Sequence, residues 1–296
     1  MNTKLCLGLI SIASASASLG SDAVSKLNGK LDASYGSFNS AKGWTAEGSV
    51  AMPIVKALGF QFDALYADVE GIEFSGVGGH LFWRDNQIGL LGLSLGGVFG
   101  EKVDSYELSV EGEYYLNWVT FGAKAGYAVI EYDHDVPFID TNKNGAFGLV
   151  YATVYPIDDL SVSIGFEHRF DNSSLRLDAE YELPMNGLSL FARTMVADHS
   201  YNHVLFGLRY YFGAEKSLKQ RHRQDDPRSV VQDLLFGVGT YGAEYNKRGK
   251  RFVREHGGSG SFGNYGSSDY GSSWQYGGFH PIDLNDLIVV GPDSHP

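Results

Sequence analysis

Three acids, Glu107, Glu111 and Glu113, stand at even separations, and so do Glu167 with Arg169, and Arg176 with Asp178 and Glu180. Even spacing on an extended chain puts side chains on one face. Lys124, Arg193 and Arg209 extend the set, with acids gathered over 107–113 and arginines recurring from 169 to 209. Two such groups facing each other across a water-filled interior would make a transverse field that orients dipolar solutes and excludes apolar ones. The competing expectation is that they pair with one another and fill a narrow bore.

Other chemistry is less well supported by spacing. Asp140, Asn142, Asn144 and Gly145 match the opening of a calcium loop, whose alternate oxygens point at one ion. Its closing position, however, needs a glutamate and holds Tyr151. Turn formation alone accounts for Asp, Asn and Gly here, so neither a metal nor another cofactor is expected. Asp198-His199 and His168 come without a recognisable partner motif, and His80 and His203 are read as structural. No catalytic residue is assigned. The only cysteine, Cys6, sits in an apparent leader, which leaves the mature chain without a disulfide or a thiolate nucleophile.

The elements that must position these charges are strands. Between Gly29 and Phe212 twelve segments alternate apolar and polar residues. In one, Tyr106, Leu108, Val110 and Tyr114 alternate with Glu107, Glu111 and Glu113; in another, Leu175, Leu177, Ala179 and Tyr181 alternate with Arg176, Asp178 and Glu180. One face suits lipid and the other does not. Gly89 to Val98 is apolar on both faces, which makes the strand count less secure there. Even-numbered connections read as short turns, such as Arg84-Asp85-Asn86 and Leu116-Asn117. Odd-numbered ones, such as Asp68 to Glu73, Phe99 to Asp104, Glu131 to Gly145 and Ala197 to Asn202, read as mostly longer.

The last segment carries a more specific pattern. Gly207-Leu208-Arg209-Tyr210-Tyr211-Phe212 resembles the closing strand of bacterial outer-membrane β-barrels, a glycine followed by two spaced aromatics. The resemblance implies that Gly207, Tyr210 and Phe212 form the signal read by the barrel-assembly machinery, with outer-membrane lipid around the barrel. Leu205 departs from the pattern, which has a polar residue there, and Phe212 is followed by more chain. Enzymatic barrels, omptin-type proteases and outer-membrane phospholipases, form a rival class, but their site motifs are not recognisable here.

The ends complete the organisation. Lys4, the short apolar stretch Leu5 to Ala13 and Ala15-Ser16-Ala17 read as a secretory leader over 1–17. A bilayer core of about 30 Å needs about 20 apolar residues of helix, and no later segment supplies them. Residues 18–213 are expected to form a closed antiparallel transmembrane β-barrel of twelve strands. Residues 214–296 are expected to be a polar, Gly/Ser/Tyr-rich, partly disordered periplasmic tail, with apolar runs at Val230 to Val238 and Ile282 to Val290 as docking segments for a periplasmic partner or the barrel mouth.

The net charge of −12 excludes nucleic acid, which needs a basic face. Within 18–213, 12 Lys and Arg stand against 25 Asp and Glu, while the tail is balanced, so a pore would favour cations. The expectation is a weakly cation-selective, porin-like channel for small hydrophilic solutes. The alternatives are an anchor whose tail binds peptidoglycan or another envelope partner, and a barrel-rim hydrolase.

Overall fold

The computed structural model describes residues 22–101, 103–132, 142–198, 201–213, 215–225 and 227–240. Twelve strands run in order: β1 (Asn28–Phe38), β2 (Ala41–Val55), β3 (Leu58–Val69), β4 (Ile72–Asp85), β5 (Gly89–Gly100), β6 (Val103–Leu116), β7 (Val119–Tyr132), β8 (Lys143–Ile157), β9 (Leu160–Arg169), β10 (Asn172–Glu182), β11 (Leu188–Ala197) and β12 (Asn202–Phe212). Each pairs antiparallel with its sequence neighbours, and β1 pairs with β12 from Gly29 opposite Phe212 to Phe38 opposite His203. The sheet therefore closes and leaves no edge, the condition for a sheet to cross lipid.

Alternation determines which way each side chain faces. On β6 Leu108 is 61% exposed and Val110 projects beside it on the outside, whereas Glu107 and Ser109 are buried inside. The same division holds on β10, where Leu175 and Leu177 are outside and Arg176 inside. Gly89 to Val98 is one strand, β5, so the count of twelve stands. Its two apolar faces have separate causes: Leu91, Leu93 and Leu95 face outward, and the inward face meets another part of the chain.

The connections correct the expected asymmetry. Strand ends reach so far that only Asn39-Ser40, Glu70-Gly71 and Phe170-Asp171 separate their neighbours at the odd-numbered positions, and only residues 101 and 102 join β5 to β6. Asp68 to Glu73 and Phe99 to Asp104, read as longer loops, are largely strand, while the 133–142 connection carries most of what asymmetry remains and 198–201 adds a little. The mouth that holds Asn28 and Phe212 is called the terminal mouth below, and the one that holds 133–142 the loop mouth.

After Phe212 the chain does not leave the barrel as a free tail. Helix α1 (Leu218–Gln224) lies across the terminal mouth, and at its start the Ser217 N–H donates to Gln220 Oε1 at 3.1 Å. Arg223 of α1 donates to the carbonyls of Leu116 and Val119, at 2.6 and 2.9 Å, and Lys219 N donates to Asp158 O at 2.9 Å. The chain then enters the barrel and forms a second helix, α2, over residues 230–240. Residues 215–225 and 227–240 of the expected tail thus pack across the mouth and inside the barrel, with the apolar run Val230 to Val238 within the second helix. The expected leader over 1–17, residues 133–141 including Asp140, and the run Ile282 to Val290 lie outside the described residues.

Candidate functional site: the lumen and its plug

Helix α2 fills the bore because the wall has been cleared for it. Gly76 and Gly78 on β4 and Gly96 on β5 all face inward, and a Cβ on Gly96 would meet Val230 and Leu234 at 3.1 and 3.2 Å. Around this bare strip the inner wall toward the loop mouth is apolar, with Phe74, Val98, Ile130, Met195 and Leu205 forming one cluster with Val230, Val231, Leu234, Leu235, Phe236 and Val238. Each of these helix side chains contributes about 1.5–3 kcal/mol on burial. Leu205, the departure from the closing-strand pattern, is fully buried in this collar. Its apolar character belongs to the plug.

The charged residues named from the sequence all lie on the lumen side, but they are arranged differently from a field across open water. Glu107 pairs with Lys124 at 2.5 Å and with Arg169 at 2.8 Å. Glu167 joins Arg169, at 2.7 Å, to Arg176. Asp233 of α2 completes the chain, paired with Arg176 and, at 3.3 Å, with Lys124. Arg209 bridges Asp32 and Glu180, at 2.8 and 2.6 Å, next to the β1–β12 seam. Asp178 lies 3.3 Å from Arg228 and 3.9 Å from Arg193. Among the described residues, only Glu107 of the three β6 acids pairs with an arginine. Glu113 instead accepts from Tyr115 and Tyr151, at 2.8 and 2.6 Å.

Glu111 takes part in a second network that sequence spacing did not reveal. His80 links Glu111 at 2.8 Å to Asp63 at 2.9 Å, and Asp63 also accepts from Ser49 and from the backbone N–H of Val230 at 3.2 Å. His80 is therefore a lumen residue and no rim residue. His203 is one too: it lies under the Phe236 ring, with centroids 4.1 Å apart. The plug itself was legible in one signal. Leu65, Ala67, Val69, Val98 and Leu205 are apolar at lumen parity, and Val230 to Val238 is an apolar segment with no other place to go.

Asp233 shows how the network sets charge. Its carboxylate is paired with Arg176 and Lys124, so a buried acid is balanced by buried bases. Between plug and wall a polar cavity of about 100 Å³ remains, lined by Lys30, Glu47, Glu113, Arg193 and Arg228 among others. That is room for water between plug and wall.

At the loop mouth His168 Nδ1 and Ser173 Oγ lie 3.1 Å apart, and Asp198 accepts from the backbone N–H of Ser173 at 2.8 Å. The acid holds the serine's backbone and does not orient the imidazole, so these three do not form a relay. Asn142 accepts from Tyr132 N–H at 3.0 Å, and Asn144 accepts from the Tyr127 hydroxyl. Both belong to turn and strand bonding. No cluster of three metal-ligating side chains occurs among the described residues.

A closed sheet with an apolar belt outside and paired charges inside meets the physical requirements of crossing a bilayer. The chain folds as a closed twelve-stranded antiparallel β-barrel. No protein-family model matches it, and neither does any curated protein. Among solved structures it resembles the KdgM porin, at 9% identity over 62% of this chain and 99% of that one, with a TM-score of 0.48. An outer-membrane channel from Pseudomonas putida F1, COG4313, is 10% identical over 63% of this chain and 96% of that one, with a TM-score of 0.48. The NanC porin is 10% identical over 61% and 98%, with a TM-score of 0.47. At such identities and scores the likeness describes the barrel and no more.

Proposed function

We propose that the barrel is a narrow outer-membrane channel for passive diffusion of small hydrophilic solutes, held closed in this state by its own C-terminal helix. The observation that carries this reading is the separateness of the plug. Residues 227–240 follow the closing strand, make no strand pairing with the barrel, and are held by side-chain contacts that a helix can leave as a unit. With the helix gone, Glu107, Lys124, Glu167, Arg169 and Arg176 would line a water-filled bore. The excess of acids over bases in 18–213 favours weak cation selectivity.

Gly207, Tyr210 and Phe212 serve in this reading as the assembly signal, recognised inside the chain by the barrel-assembly machinery. The apolar collar favours a second reading. Phe74, Val98, Ile130 and Leu205 would face water in an open pore, so a permanently sealed barrel acting as an anchor in the cell envelope keeps them dry. Truncation after Gly213 in cells separates the two: uptake of small hydrophilic solutes gained with the envelope intact favours the channel, and loss of envelope integrity favours the anchor.

A further inference from the structure

We infer that the tail threads the barrel from the terminal mouth to the loop mouth, so that residues 241–296 emerge on the cell-surface side and the protein displays them there. The path is marked by contacts that advance in one direction. Helix α1 is fixed to the turns of the terminal mouth through Arg223 and Lys219. Gln61, near the start of β3, donates to the carbonyl of Pro227 at 3.3 Å, and Asp63 receives Val230 N–H. Asp233 is gripped at mid-barrel by Lys124 and Arg176. Phe236 reaches His203, Gly237 lies against Arg169 at the end of β9, and Gly239 lies against Tyr201 in the β11–β12 connection. Helix α2 rises about 1.5 Å per residue, about half the hydrocarbon thickness over its described length.

A return toward the terminal mouth would need a second passage alongside α2. A helix with its side chains is about 10 Å across. Its side chains already touch the glycine strip on one wall and the arginines on the other, which leaves no gap of that width between them. An even number of strands puts both ends of the barrel at one mouth, and the longest connection, 133–142, is at the other. The mouth with the shorter turns faces the periplasm in outer-membrane barrels. Residue 240 therefore lies at the outer face. This placement differs from the periplasmic tail expected from the sequence, and it does not depend on whether the barrel conducts.

Single cysteines in the full-length chain test it, since the mature segment has none of its own. Ser268→Cys and Ser294→Cys probe the segment beyond α2, Glu101→Cys the loop mouth and Glu215→Cys the terminal mouth, the last two being exposed positions. Whole cells are treated with a maleimide on a polymer too large to pass porins, before and after the outer membrane is permeabilised. Labelling of the two tail cysteines and Glu101→Cys in intact cells, with Glu215→Cys labelled only after permeabilisation, is the expected result. Tail cysteines that label only after permeabilisation, together with Glu215→Cys, would overturn the inference, as would tail cysteines that stay protected in both states. Labelling of Glu215→Cys but not Glu101→Cys in intact cells would reverse the barrel and overturn it equally. A channel assay plays no part in this readout, so the channel reading and the threading stand or fall separately.

Discussion

The side chain of Val230 occupies the space where a Cβ on Gly78 would stand. A lumen glycine and a helix residue more than a hundred positions later thus share one volume, and only the absence of a side chain on β4 lets the helix seat. Gly78→Val should therefore expel α2 while leaving the barrel intact, because a β-branched residue suits a strand at least as well as glycine. The check is protease sensitivity of residues 227–240 in detergent-solubilised protein. It should rise sharply in Gly78→Val while the heat-modifiable mobility of the barrel persists. An unchanged cleavage pattern would mean that the helix tolerates the added volume.

The faces of the sheet make unequal demands on charge. Ala123 projects outward on β7 between strands that meet lipid, so Ala123→Arg should destabilise the barrel by about 2–4 kcal/mol. Glu111→Gln, on the lumen face, keeps an acceptor for His80 and should fold in normal yield. Equal folding yields in lipid vesicles would show the face assignment to be wrong.

Most of the barrel was legible because a strand between lipid and water must repeat every second residue, and β6, β7 and β10 do so cleanly. Connection lengths were not, since nothing in Asp68 to Glu73 shows that pairing continues to Val69 and resumes at Ile72. The charged site was legible in its members and not in its partners. Parity tells that Arg176 and Glu107 face inward, but which ions meet depends on strand stagger and on Asp233, which comes from a helix that strand periodicity could not foresee. The double-apolar β5 and the odd Leu205 were signs of that helix, visible as exceptions to the barrel pattern.

Removing one member of the buried network should cost more than its net worth, because its partners stay behind as buried charges. Asp233→Ala leaves Arg176 and Lys124 sharing Glu167 and Glu107, and should weaken plug docking by about 3–5 kcal/mol. Arg176→Met with Asp233→Leu, which removes charge from both sides, should recover much of that loss. A double variant as weak as the single one would assign the effect to packing.

Planar-bilayer recording of the full chain beside the barrel ended after Gly213 tests the central claim most directly. The intact chain should be silent or nearly so. The shortened barrel, shown folded by its heat-modifiable mobility, should give small, weakly cation-selective steps whose selectivity moves toward anions when Glu107, Glu111 and Glu113 are neutralised together. A folded barrel that stays silent without its tail, or an intact chain that conducts as well as the shortened one, would contradict the account of a channel closed by its own helix.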